Sequence, residues 1–390
     1  MSMQLAYALI TPSRLYRSQT GPLLARLLAD SGLELAAARM FTPSAELTEA
    51  FAELISEGGH AESETAAQLL AESVRREFAP DKDGRPRPVM ALLLKGEQAV
   101  AKLAEAVGPV LPRSGPARTI RESFAQIETD ATGAPTRCEP AVIAAMEEGA
   151  AEKAVRLWAR RSDSDGGLAD NAVAWPAGAN VQRTLVLIKP ENFREPSARP
   201  GCVLDRFART GLFPVGIKVL RMSLAQAMEF YGPVREILCE KLKPVAAGQA
   251  KELLEKAWRF PLPKEAEAAL EQTLGPLFGE NQFDNILRFM SGRSRAECPP
   301  SEREQPGSAP CLAIILEGPD AVTKVREALG PTNPRKAPPG TVRRDFGADI
   351  MVNAAHASDS PENAAREMGI VRVEANQFLE TVEAVYGPIR

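Results

Sequence analysis

Histidine and cysteine are the scarce chemistry in this 390-residue chain, which carries two of the first and five of the second. The cysteines (Cys138, Cys202, Cys239, Cys298, Cys311) are scattered, odd in number and form no C-x-x-C pair. That argues against a disulfide framework or a structural zinc site and fits a reducing cytoplasm. An excess of one charge is missing too: 47 Lys+Arg stand against 51 Asp+Glu, a net charge of −4, so neither nucleic acid nor an anionic membrane is expected as the main partner. No stretch approaches the roughly 20 apolar residues of a membrane helix. The segment Met1 to Tyr7 lacks the basic region and apolar core of an export signal. The expectation is a soluble, cytoplasmic protein, long enough for about two or three domains.

What is present is a repeat. Leu9-Ile10-Thr11-Pro12 is answered by Leu187-Ile188-Lys189-Pro190, and Met90 to Gly96 by Leu312 to Gly318. In each half the glycine precedes a Gly-Pro pair at one spacing, Gly108-Pro109 and Gly330-Pro331, and an arginine follows at one spacing, Arg121 and Arg343. Three landmarks at a constant offset point to a tandem duplication. Carried along that offset, Arg326 falls on Ala104, Thr332 on Val110 and His356 on Ala134, while Lys189 faces Thr11. The first half's histidine, His60, lies in the Gly58-Gly59 loop, and Thr129 to Pro140 reads as a turn-rich loop. Residues 1–160 are therefore read as a domain emptied of its polar machinery. Residues 161–180, polar and small, are read as a linker, and 181–390 as the second domain.

Apolar β-rich runs at 184–188, 213–220, 311–317 and around 349–353 alternate with helical patterns at 202–210, 223–231 and 319–329. Ser223 is a candidate N-cap, and Gly211 and Gly330 are candidate C-caps. This order predicts an α+β, ferredoxin-like (split βαβ) fold in the second half and, through the repeat, in the first. Two insertions decorate the second: a helix-favouring one near 236–281, with helices over 246–258 and 264–274, and a solvated loop over 293–310.

Asn353-Ala354-Ala355-His356-Ala357-Ser358-Asp359, Pro339 to Phe346, Leu329 to Pro334 and Arg183 to Pro190 together resemble the nucleoside diphosphate kinase family, over roughly residues 181–390. The resemblance implies a four-stranded antiparallel sheet covered by helices, and transfer of the γ-phosphate of a nucleoside triphosphate such as ATP to a diphosphate such as GDP, through a phosphohistidine at His356. An imidazole suits that relay, because a pKa near about 6.5 leaves a neutral nitrogen at pH 7. It further implies that Lys189 contacts the transferring phosphate, that Arg326, Arg343 and Thr332 bind phosphates, and that Asn353 lies near ribose and phosphates. Tyr231, Ser358 and Glu367 would position the histidine, and Phe283 with Ile286 would clamp the base. Magnesium is implied by the diphosphate chemistry, carried mostly by the nucleotide phosphates with Asp359 as a helper.

Some matches depart from the family pattern. Ala357 and Arg344 stand where it has glycines, and Glu191-Asn192 where it has Asp-Gly; if the residue after the histidine needs positive φ, Ala357 would cost activity. The family's oligomers imply an intramolecular pseudo-dimer or a larger homo-oligomer. Two alternatives stand beside the kinase: a catalytically weakened nucleotide-binding regulatory or scaffold protein, and a phosphocarrier that passes phosphate to a protein.

Overall fold

The computed structural model describes residues 3–111 and 116–389; Met1 and Ser2, read above for an export signal, lie outside them. It divides into two compact units, one of Met1–Val219 with Leu312–Arg390, the other of Leu220–Cys311. The first half of the chain runs β1 (Met3–Ile10), α1 (Pro12–Tyr16), α2 (Thr20–Ser31), β2 (Glu34–Phe41), α3 (Ala45–Ser56), α4 (Glu64–Glu77) and β3 (Val89–Glu97). It continues with α5 (Ala99–Val107), α6 (Ile120–Phe124), β4 (Gln126–Thr129), β5 (Pro135–Glu139), β6 (Val142–Ile143), α7 (Glu148–Arg160) and β7 (Gly166–Gly167). The second half runs β8 (Val181–Ile188), α8 (Arg199–Ala208), β9 (Phe213–Arg221), α9 (Leu224–Trp258) and α10 (Lys264–Ser291). After these come β10 (Pro310–Pro319), α11 (Ala321–Leu329), α12 (Val342–Phe346), β11 (Ala355–Ala357), α13 (Pro361–Val371) and α14 (Gln377–Tyr386).

Two sheets result, ordered β6-β1-β3-β2-β7 and β11-β8-β10-β9. Setting β7 aside, both have the strand order fourth, first, third, second of the split βαβ fold. The central strands read as unbroken apolar runs because they are buried on both faces: Leu5 to Ile10, Val89 to Leu94, Leu185 to Ile188 and Leu312 to Leu316 are all core. Unusual backbone repeats with them. The residue before α5, Gln98, and the one before α11, Asp320, are both left-handed, at φ 52 and 53. Gly108 and Gly330 end those helices at φ 81 in both cases.

The structure differs from the expectations in several places. The last strand is Ala355–Ala357 rather than 349–353, whose chain is occupied by a turn that Asp349 Oδ1 holds through the amides of Met351 and Val352. Thr129 to Pro140 is largely a β-hairpin: Asp130 Oδ1 accepts from Thr132 and Ala134, closing the turn between β4 and β5. Arg209, not Gly211, caps α8, while Gly211 turns the chain into β9 at φ 69. Because β6 is reached through that hairpin, the constant offset lapses after α6. Ile10 pairs with Val142 and Ile188 with Ala355, so His356 corresponds to Ile143 and not to Ala134. Residues 161–180 include β7, whose glycines pair with Met40 and Phe41, and the Ala169 amide donates to Val215 O.

Within the first unit, α2 and α8 touch backbone to backbone. A Cβ on Gly201 would lie 2.1 Å from the Ala25 amide nitrogen, and one on Gly21 2.5 Å from that of Asp205. The end of the chain also docks on the first sheet. Phe378 packs edge-on against Phe41 at 5.4 Å, Tyr386 Oη donates to Leu5 O (3.3 Å), and Arg39 Nη1 donates to Glu374 O (3.1 Å).

The second unit is the antiparallel pair α9 and α10. Ser223 caps α9 in a capping box with Gln226, and the helix then runs unbroken through Pro233 and Pro244. Each proline removes a helical bond, at about 3 kcal/mol. Packing against α10 offsets this, and it is close because a Cβ on Gly279 would stand 2.6 Å from Cys239 Cα. The 293–310 segment is tied down, with Arg295 bridging Asp284 and Glu280 and the Gly307 amide donating to Met222 O. No helix among the described residues is long and apolar enough to cross a membrane.

Gly201→Ala should cost about 1–3 kcal/mol in chemical denaturation, since helix backbone cannot yield. Gly248→Ala, mid-helix in α9 with nothing within 4 Å, should instead stabilise by about 0.5–1 kcal/mol. A pH effect follows from His60, which is buried beside Tyr7 and Phe51 and pushed down to about 4 by that burial. The unfolded chain, titrating near about 6.5, takes up the proton first. Stability is therefore full above about pH 6.5 and falls as the pH drops toward about 4. His60→Leu should flatten that slope in urea titrations across the range, and an unchanged slope would clear His60 of the effect.

Candidate active site

The site is built on the short edge strand β11, and its position depends on one left-handed residue. Ala354 sits at φ 69, a conformation costing an alanine roughly 1–2 kcal/mol. Three partners hold it there. The Lys189 amide and Asn192 Nδ2 both donate to Ala354 O, each at 2.9 Å, and Glu191 Oε1 accepts from the Ala354 amide at 2.8 Å. Such over-determination is what lets strain persist. Asn192 is in turn fixed by Arg199 Nε (2.8 Å), whose guanidinium also donates to Phe346 O. Glu191, Asn192 and Arg199 are thus site residues that the sequence reading passed over, although the first two stand directly after Lys189-Pro190.

The turn delivers His356 opposite Leu187 in the sheet. Its Nε2 lies 2.8 Å from Glu367 Oε2, and Ser358 Oγ donates to the same oxygen at 2.7 Å. Glu367 reaches them because α13 starts in register: Ser360 caps it and Pro361 occupies the first helical position. A carboxylate accepting from Nε2 fixes the proton there and leaves the lone pair on Nδ1. Ala357 is ordinary strand, paired with Val186, so the backbone freedom of a glycine is not needed after the histidine.

The cationic residues grip the same segment. Lys189 Nζ donates to Asn353 Oδ1 (2.7 Å) and Met351 O (2.8 Å), and Asn353 Nδ2 donates to Thr332 O (3.2 Å). Arg343, buried, donates to Gly330 O (3.1 Å) and Ala355 O (3.3 Å), and Arg326 Nη1 approaches Ala357 O at 3.4 Å. Beside them opens a cavity of about 750 Å³, lined by Val322, Arg326, Gly330, Pro331, Thr341 and Asp359. Asp359 is exposed and accepts from Asn363 Nδ2 (2.7 Å). Thr332 is exposed. Tyr231, Phe283 and Ile286 belong to the second unit. There Tyr231 packs on Phe230 at 4.9 Å, Ile286 is half-buried, and Phe283 is core with Arg295 over its ring at 5.3 Å rather than an open stacking platform.

The first sheet repeats the scaffold without the polar cluster. Ala141 is left-handed at φ 62 and the Thr11 amide donates to its carbonyl. Arg121 donates to Gly108 O (2.9 Å) and Val142 O (3.0 Å), so this arginine ties the Gly-Pro turn to the edge strand in both halves. In the places of His356, Ser358 and Glu367 stand Ile143, Ala145 and Ala154, all core.

The family model for nucleoside diphosphate kinase matches residues 300–376. A nucleoside diphosphate kinase of Staphylothermus marinus is 31% identical over 192 residues, 49% of this chain and 93% of that protein. The chain belongs to the nucleoside diphosphate kinase family. A nucleoside diphosphate kinase of Halorhodospira halophila is 30% identical over 188 residues, 48% of this chain and 90% of its own length. Among solved structures, an orthorhombic crystal form of the Aquifex aeolicus nucleoside diphosphate kinase is 28% identical, covering 49% of this chain and 94% of that one with a TM-score of 0.30.

Strain at Ala354 predicts an ordering of variants in denaturant unfolding. Ala354→Gly should be neutral or stabilising by up to about 1 kcal/mol, relief of strain working against glycine's entropy. Ala354→Val should cost about 1–3 kcal/mol, and equal stabilities would show that the conformation carries no strain.

Proposed function

We propose that the chain is a nucleoside diphosphate kinase acting through His356, with the C-terminal half active and the N-terminal half supporting it. The observation that carries this reading is the 2.8 Å contact between His356 Nε2 and a buried Glu367 that Ser358 also engages. In the first half-reaction the Nδ1 lone pair forms a bond to the γ-phosphorus of a nucleoside triphosphate. The bond from that phosphorus to the bridging oxygen breaks, and the diphosphate leaves with the electron pair. In the second, a terminal oxygen of another nucleoside diphosphate attacks the same phosphorus and the N–P bond breaks. Glu367 holds the Nε2 proton throughout and stabilises the positive charge that develops on the ring.

Phosphoryl transfer asks for positioning and charge neutralisation more than for covalent help. Lys189, Arg326 and Arg343 supply three cations around the 353–357 backbone, with Arg326 at the cavity wall. No group of three His, Cys, Asp or Glu side chains suited to a metal occurs among the described residues. Mg²⁺ would be brought in on the nucleotide phosphates, with the Asp359 carboxylate at the cavity wall as the chain's own helper. The ion, when bound, neutralises charge on the phosphate oxygens. The tandem halves are read as an intramolecular pseudo-dimer with the copies at 1–160 and 181–390, and the backbone contact of α2 with α8 supports that reading.

Incubation with Mg²⁺ and γ-labelled ATP should leave acid-labile label on the wild type and none on His356→Ala, and GDP should chase it into GTP. Retained ATP binding with label on neither protein would leave a nucleotide-binding regulator instead. Transfer of label to a protein and not to GDP would indicate a phosphocarrier. Glu367→Gln should lower kcat roughly 10- to 100-fold, the range for partners that orient a functional histidine, with little change in KM.

A further inference from the structure

The N-terminal half keeps a cavity where the C-terminal half has its candidate nucleotide site. It measures about 530 Å³ and is lined by Ala104, Gly108, Pro109 and Thr119, among others. These are the counterparts of Arg326, Gly330, Pro331 and Thr341 in the other cavity. Three residues on its wall, Glu62, Arg118 and Glu122, have no such counterpart. Glu62, in the loop between α3 and α4, reaches over and accepts from two successive backbone amides, Val110 at 2.9 Å (Oε2) and Leu111 at 2.8 Å (Oε1). Two consecutive N–H groups aimed at one anion form a nest of the kind that takes phosphates. The corresponding amides, of Thr332 and Asn333, donate to no group among the described residues.

A second observation points to the same place. Arg121 is buried with its Nη2 unpartnered, next to the Gly108 carbonyl on the cavity wall. Burial pushes its guanidinium down to about 10, and Glu62 is the one carboxylate opposing that push. An arginine whose charge is buried needs an anion nearby. In the C-terminal half a nucleotide phosphate would serve Arg343 in this way; here Cys138, Glu62 and Tyr7 oppose the push on Arg121 through their charge, and Glu62 bonds the Val110 and Leu111 amides rather than the guanidinium.

We propose that the N-terminal cavity is a phosphate-type anion subsite closed by the chain's own ligand, the Glu62 carboxylate. The inference rests on reading the C-terminal cavity as the phosphate site. A carboxylate presents two acceptor oxygens to two amides as a phosphate would, so an incoming phosphate must displace it. Removing Glu62 opens the subsite without touching any group that the reaction uses.

The test is titration of the full-length chain with inorganic phosphate, by calorimetry and by melting temperature, in wild type, Glu62→Gln and Glu62→Ala. Glu62→Ala should gain one phosphate-binding event per chain over wild type, together with a phosphate-dependent rise in melting temperature that wild type lacks. Glu62→Gln, whose amide oxygen still satisfies one N–H, should fall between them, and phosphotransfer turnover should be unchanged in both. Adding Arg326→Ala to Glu62→Ala should remove only the C-terminal event. No gain in Glu62→Ala overturns the proposal, as does a wild-type event that survives Arg326→Ala. Absence of any C-terminal event in wild type and in every variant, with the Glu62→Ala gain intact, would overturn the reading of that cavity and leave this one standing.

Discussion

The three-residue edge strand Ala355–Ala357 is laid against β8 through one left-handed residue, Ala354. The candidate site depends on that turn. Without Ala354 at φ 69, His356 would not lie opposite Leu187, and Glu367 would have nothing to orient. Neighbouring cations and amides all grip the short stretch from Asn353 to Ala357, so the His356 imidazole is positioned by backbone held at many points.

The two halves together separate what the fold needs from what the proposed chemistry would need. Both have the left-handed alanine, both have the arginine that fastens the Gly-Pro turn to the edge strand, and both have left-handed residues heading the helix after the third strand. Those features serve architecture. Only the C-terminal half adds Glu191 and Asn192 as further clamps on the turn, and only there do polar side chains stand where the other half has Ile143, Ala145 and Ala154. Arg343 therefore has a bracing role alongside any role toward phosphate, because Arg121 keeps the same bonds where no histidine exists.

Much of this was legible in the chain. The constant spacing from Gly96 to Arg121 and from Gly318 to Arg343 survived because a strand, a helix and a capped turn link those landmarks rigidly, and Glu367 and Ser358 were legible through the family motif. The register failed after Phe124, where one half inserts a β-hairpin and the other a tight turn, so a linear projection put Ala134 where the sheet puts Ile143. The helical patterns at 223–231 and 246–258 were legible only as separate pieces, because the partner helix that lets α9 run through Pro233 and Pro244 is distant in sequence. Glu62 was invisible for the same kind of reason: its partners lie almost fifty residues on, and nothing local marks it.

The contact between α2 and α8 has a consequence for how the molecule varies. In a symmetric pair of identical subunits, each substitution at the dyad appears on both sides at once, and a change must suit itself. Here Gly21 and Gly201 are separate positions in one chain, so each side of the seam can change alone. The association also does not weaken on dilution, because the partner is tethered and its effective concentration is fixed by the connecting segment. The polar groups of one half can thereby differ from those of the other while the α2–α8 contact is kept.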